Sequence, residues 1–351
     1  MHPLTTPVVP THETWFETSQ SGPDWGFYLS ALPLALTATM VVVALVWRYA
    51  ATRFAGPELP FLRPLGGLVP WIPRLLGIHL GVALLALAAT GAFLVPSIDD
   101  LHGAGGSALL LVEGGLGVWL VTGYRLRPAA ALVLALGPLL AVTSHPVALL
   151  ECANLAAVAA FLVILPPGED RNGAAETRPE TLRWALLAMR LGVGVALIAL
   201  AFSEKFTNPV LSRMTLDDYP QLNVFDLVGI GVPDDTFIVI AASVELLFGL
   251  LVISGAMPQV AVLVAAVPFN ATLLLFGQTE LVGHLPVYGV FLALLVYGSN
   301  PATAPAVRWL PSRRDARAQA PAGTWSATSA MSSRAASPWN RSTSPRIRRT
   351  S

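Results

Sequence analysis

Long apolar runs alternate along this chain with short segments that carry its prolines, glycines and charges. Runs long enough, or nearly long enough, to cross a hydrocarbon core of about 30 Å fall at 29–49, 75–95, 105–121, 129–142 and 147–165. Four more fall at 182–202, 236–255, 260–276 and 285–297. The pattern predicts an all-α, polytopic helical membrane protein of about nine transmembrane helices, because a chain in lipid must satisfy its backbone hydrogen bonds within each span.

The connecting segments predict an orientation. Arg48, Arg53, Arg63 and Arg74 lie between the first two runs, Arg125 and Arg127 between the third and fourth, and Arg171, Arg178 and Arg183 between the fifth and sixth. With nine spans these groups share one side with the arginine-rich tail. Asp99, Asp100, Asp217, Asp218, Asp234 and Asp235 fall on the other. The positive-inside rule then predicts a multi-pass cell-membrane protein, N-terminus outside and C-terminus cytoplasmic.

Composition agrees. Apolar residues make up 54% of the chain and charged residues 12%, against roughly 25% charged in soluble domains. The mean hydropathy is +0.63. Before Asn300 there are 12 basic and 20 acidic residues; after it, nine arginines and Asp315. That tail, 300–351, reads as disordered, basic and cytoplasmic, with cations suited to anionic headgroups. Segment 1–28 reads as extracytoplasmic, with Trp15, Phe16 and Trp25 as an interfacial anchor and no basic region typical of a cleaved leader. Segment 29–73 supplies the first helix and a basic loop. The single cysteine, Cys152, excludes an internal disulfide and a cysteine metal site. No metal site is expected, nor a nucleic-acid partner, and neither a P-loop nor a hydrolase or dinucleotide motif occurs in a credible setting.

The two halves repeat a pattern. Glu113, Gly117 and Gly123 share the spacing of Glu245, Gly249 and Gly255; Pro128 and Pro138 share that of Pro258 and Pro268. A span opening on Arg-Leu precedes each block, at Arg74 and Arg190, and Glu151 and Glu280 follow at similar distances. This predicts two tandem four-helix units, 74–166 and 183–298, in parallel orientation because each holds an even number of spans. The glycines read chiefly as packing residues.

A charge at mid-bilayer costs roughly 2.5–3.5 kcal/mol on insertion scales, so the few within spans are informative. Glu113 and Glu245 interrupt two runs. Lys205, the only lysine, ends the sixth run; Glu280 and His284 sit between the eighth and ninth, with His145, Glu151 and Asn154 in the equivalent place of the first unit. The expected arrangement is one outward polar site per bundle. In the second unit Lys205, Glu245, Arg190, Glu280 and His284 are its candidates; in the first, Glu113 and Glu151. Structural roles compete: Lys205 can snorkel to the interface, and Glu245 can bond a neighbouring helix. Glu245 lies about ten residues into its run, so a bridge through water, Glu204 or Glu280 is expected rather than direct contact with Lys205. His79, His145 and His284 stand singly on different runs and read as packing or interface residues rather than haem ligands. Segment 206–234 reads as an ordered outer cap.

The stretches RLGVGVALIALAFSEKFTNP (190–209), VELLFGLLVISG (244–255) and HLPVYGVFLALLVYG (284–298) resemble the DoxX family of small four-helix membrane proteins. The match covers about a third of the chain, with the first unit as a degenerate second copy. Ala201 and Phe202 stand where the family usually has a glycine before its lysine. The resemblance implies a membrane subunit, not an enzyme as an isolated chain, that supports quinone- or thiol-linked redox chemistry with protein partners. It points to Arg190, Lys205 and Glu245, and to quinone as the one candidate cofactor. A small-solute carrier and a non-catalytic scaffold holding a partner through 206–234 are the competing readings.

Overall fold

A computed structural model describes residues 23–53, 59–95, 98, 103–143, 146–165, 179–276 and 278–308, without the side chains of 139–143, 146–148, 275, 276, 278–280 and 282. Regular structure among these residues is helical. The apolar helices are α1 (Ala31–Ala51), α2 (Ile72–Thr90), α3 (Gly103–Thr122), α4 (Leu126–Thr143) and α5 (Ala153–Ile164), then α6 (Pro179–Leu200), α7 (Asp234–Ser254), α8 (Pro258–Phe276) and α9 (Gln278–Ser299). Five helical stretches are long and apolar enough to cross a membrane: α1, α2 with its preceding turns, α3, α6 with its extension, and α7. The other four contain shorter apolar segments.

Three departures from the hydropathy pattern have local causes. The basic loop ahead of α2 is not all loop: Pro60–Trp71 forms 3-10 turns, starting on Pro60 and carrying Pro64 and Pro70 inside. Prolines remove the N–H groups an α-helix needs, and the segment is held instead by packing on α9 and by Asn300 Nδ2 donating to Gly66 O at 3.3 Å. The fifth run is not one helix, since Pro146–Glu151 and α5 are separate and Cys152 caps the latter. The sixth runs past its apolar end into a π-turn, Ala201–Phe206, closed where Thr207 N–H and Oγ1 both donate to Phe202 O.

The helices pack in two rings of four. In one, α2 lies along α3 and α4 along α5, with α2 touching α5; in the other, α6 lies along α7 and α8 along α9, with α6 touching α9. The rings meet where α5 packs on α6 and α2 on α9, and α1 rests on α7. Buried Leu80, Leu84, Phe161, Met189, Phe291 and Tyr297 belong to one continuous core through both rings.

Glycines allow close backbone approach in both rings and between them, where a Cβ on Gly192 of α6 would lie 2.6 Å from Ala153 O of α5. A Cβ on Gly81 would lie 2.6 Å from Gly117 O in the α2–α3 pair. A Cβ on Gly194 or Gly249 would lie 2.8 Å from the other's carbonyl oxygen in the α6–α7 pair. Beyond α3 and α7, Gly123 (φ +76°) and Gly255 (φ +60°) take left-handed backbone, and the guanidinium groups of Arg74 and Arg190 lie over them. Arginines there face the partial negative charge of a helix C-terminus. Arg48 joins them by donating to Ser254 O. This end of the bundle is the arginine end; Lys205 marks the other.

Candidate functional site

At the lysine end the chain beyond the π-turn folds back as an ordered cap. Asn208 caps the helix Pro209–Asp218, its side chain accepting from Leu211 N–H at 3.4 Å. The helix packs on both the π-turn and α7. Ser212 Oγ donates to Glu204 O at 3.1 Å, and Arg213 Nε to Asp235 Oδ1 at 2.5 Å. Asn223 Nδ2 ties the return of the cap to Val232 O and Asp234 Oδ1. From the N-terminal side, Asp24 N–H donates to Thr207 O at 2.6 Å, and Tyr28 packs edge-on against Phe202 and Phe206. The expected ordered cap over 206–234 is present as this series of short helices and turns.

Under the cap, Lys205 Nζ lies 3.2 Å from Glu245 Oε2 and 3.5 Å from Glu204 Oε2. Glu204 is fully buried, while the side chains of Lys205 and Glu245 are 16% and 17% exposed. The direct Lys205–Glu245 pair corrects the expectation of a bridge. Counting helical rise ignored side-chain direction: side chains lean toward the N-terminus of their own helix. In the antiparallel α6–α7 pair, Lys205 therefore leans along α6 toward the arginine end and Glu245 leans along α7 toward the lysine end. The two heads converge. Glu204, expected only as one possible bridge, stands directly beside Lys205.

Other candidates lie elsewhere. Arg190 does not join Lys205; it lies fifteen residues earlier on the same helical stretch, about 22 Å at 1.5 Å per residue. There it is buried, donating from Nη1 to Val307 O at 2.7 Å. His284 is buried edge-on against Phe269, at 4.8 Å between ring centroids, and near Tyr288. His79 Nδ1 contacts Leu75 O within its own helix at 2.7 Å. The Glu280 side chain and His145 lie outside the described residues.

The first ring does not build a matching site. Glu113 is fully buried on α3, but its Oε1 accepts from Leu94 N–H at 3.1 Å. A backbone turn, in which Leu94 has φ +58°, stands beside Glu113 where Lys205 stands beside Glu245. Glu151 turns to the other ring, with Ser203 Oγ donating to its Oε1 at 3.3 Å. One polar site per bundle is thus replaced by an ammonium–carboxylate cluster in the second ring and a carboxylate reaching it from the first.

The described cluster can hold a cation, donate hydrogen bonds through Lys205, or take and release a proton at a carboxylate. Among the described residues no group of three His, Cys, Asp or Glu side chains is placed to hold a metal ion. Comparison with protein-family models, with curated proteins and with solved structures gives no match.

Proposed function

We propose that this chain is a nine-span integral membrane subunit, N-terminus outside and C-terminus cytoplasmic, built from two tandem four-helix units plus α1. Its function is to support quinone- or thiol-linked redox chemistry with a partner protein, as the likeness to DoxX proteins implies. The observation that carries this reading is the Lys205–Glu204–Glu245 cluster beneath an ordered cap. An ammonium beside two carboxylates changes charge by one when a carboxylate takes a proton, and quinone or disulfide reduction consumes protons with electrons. The partner supplies the electrons; this chain supplies the proton-handling group at the membrane boundary.

The surroundings fit a quinone head group. Lys205 offers a hydrogen-bond donor beside an apolar cluster of Ala201, Phe206, Val239, Ala242 and Leu246. A quinone there would supply the electron-accepting ring. Lys205 would donate to a ring oxygen, Glu245 would hold Lys205 in place, and the cap would limit water.

The test is purification of the full chain in mild detergent, with identification of bound quinone and co-purifying proteins. Quinone or a thiol-redox partner is expected with the natural chain and reduced with Lys205→Met. A preparation carrying neither overturns the reading. The Glu151–Ser203 contact favours a second reading, a small-solute carrier, because carriers built from repeats place their sites where the repeats meet. Solute uptake into proteoliposomes, abolished by Lys205→Met, would select it.

A further inference from the structure

The π-turn Ala201–Phe206 directs consecutive residues to three parts of the molecule. Ser203 Oγ donates to Glu151 Oε1 at 3.3 Å. Glu204 is held at its carbonyl by Ser212 of the cap. Lys205 reaches Glu245 on α7 at 3.2 Å. Glu151 closes the short helix Pro146–Glu151, which precedes α5 in the chain and packs on α6 from the side of the first ring. A π-turn bonds i to i+5 and so resets the rotation of the residues within it relative to the preceding helix. Anchoring one residue of such a turn therefore fixes which way its neighbours point.

We propose that the polar site is shared between the rings: Glu151 holds the π-turn through Ser203 and thereby positions Lys205 between Glu204 and Glu245. The inference rests on reading the Lys205 cluster as the functional site, and adds that a residue of the first ring sets its geometry. Movement of the Pro146–Glu151 helix against α6 is then transmitted to the ammonium through the Ser203–Glu151 hydrogen bond. The first ring, whose own carboxylate Glu113 is turned to a backbone N–H, contributes to function through this contact. Glu151 is a positioning residue, and the described carboxylates facing Lys205 are Glu204 from its own turn and Glu245 from α7.

Lys205 is the only lysine in the chain, so amine acylation reads this one side chain. The full chain in nanodiscs is acetylated over time and followed by intact mass, with Lys205→Arg reporting the α-amino background. Ser203→Ala and Glu151→Leu, which each remove one partner of this bond, are expected to speed acylation of Lys205 about fivefold, the population change from losing one net hydrogen bond of about 1 kcal/mol. Ser203→Thr, which keeps the hydroxyl, is expected to retain the natural rate. The double variant Ser203→Ala with Glu151→Leu should be no faster than the faster single. Unchanged rates in both single variants, multiplied rates in the double, or a Thr variant as fast as the Ala variant would overturn the proposal. Quinone retention with unchanged acylation in Ser203→Ala sinks this inference alone. Accelerated acylation in a chain that binds neither quinone nor redox partner sinks the functional reading alone.

Discussion

Lys205 and Glu245 illustrate how an ionisable residue becomes tolerable inside an apolar helix. Each alone is a costly insertion; at 3.2 Å each supplies the other's counter-charge. Removing Lys205 leaves Glu245 poorly compensated, while removing Glu245 leaves Lys205 beside Glu204 at 3.5 Å, so the two single changes should not add. In detergent, Lys205→Met and Glu245→Gln are each expected to lower the unfolding temperature. The double variant should lose less than the sum, with a coupling of about 0.5–3 kcal/mol. Strict additivity would leave Lys205 as a snorkelling residue. Glu113 follows different logic, since its described partner is a backbone N–H. Glu113→Gln keeps an acceptor for Leu94 and should unfold close to the natural chain. Glu113→Leu strands that N–H and should cost about 1–3 kcal/mol. Equal losses for the two variants would mean that size, not hydrogen bonding, decides at this position.

At the scale of elements, contact between helices in lipid depends on how closely backbones approach, because lipid is as apolar as the side chains. Gly194 and Gly249 set that distance for α6–α7, the pair that also brings Lys205 to Glu245. Gly249→Val should separate the helices, lowering thermal stability and freeing Lys205 to acylation together. Unchanged stability would show that the pair is held elsewhere. Gly255 ends α7 with φ +60° beneath the Arg190 guanidinium. Gly255→Ala meets both a left-handed backbone penalty of roughly 1–2 kcal/mol and a Cβ that collides with Arg190. A thermal melt at the natural temperature would refute this account of the helix end.

For the whole molecule, the rings share a way of ending helices but differ in chemistry. Arg74 lies over Gly123 as Arg190 lies over Gly255, which favours the proposed internal repeat. The glycine contacts are out of register with it: Gly81, on Gly117, stands seven residues after Arg74, and Gly194, on Gly249, four after Arg190. Arg48, Arg74 and Arg190 gather at one end of the bundle, and Lys205 beneath its cap lies at the other. Reporter fusions after Arg127 and Arg178 are expected to report cytoplasm, and a fusion after Asp100 the opposite side. A cytoplasmic signal at Asp100 would refute the proposed orientation.

The sequence by itself determined the helical class and the approximate position of each apolar helix. Hydrocarbon-compatible runs and backbone self-sufficiency are local properties that one residue after another can encode. Glu245-x3-Gly249 and the only lysine were equally readable, since a charge in an apolar run is conspicuous without any partner. Distances between elements are not local, and there the tertiary structure decided. It decided that Lys205 and Glu245 touch, because side chains on antiparallel helices lean toward one another. It bonded Arg190, fifteen residues before Lys205 on the same helical stretch, to Val307 and turned Glu113 to Leu94. It also carried Glu151 across to Ser203, a contact set by the packing of one ring of helices against the other.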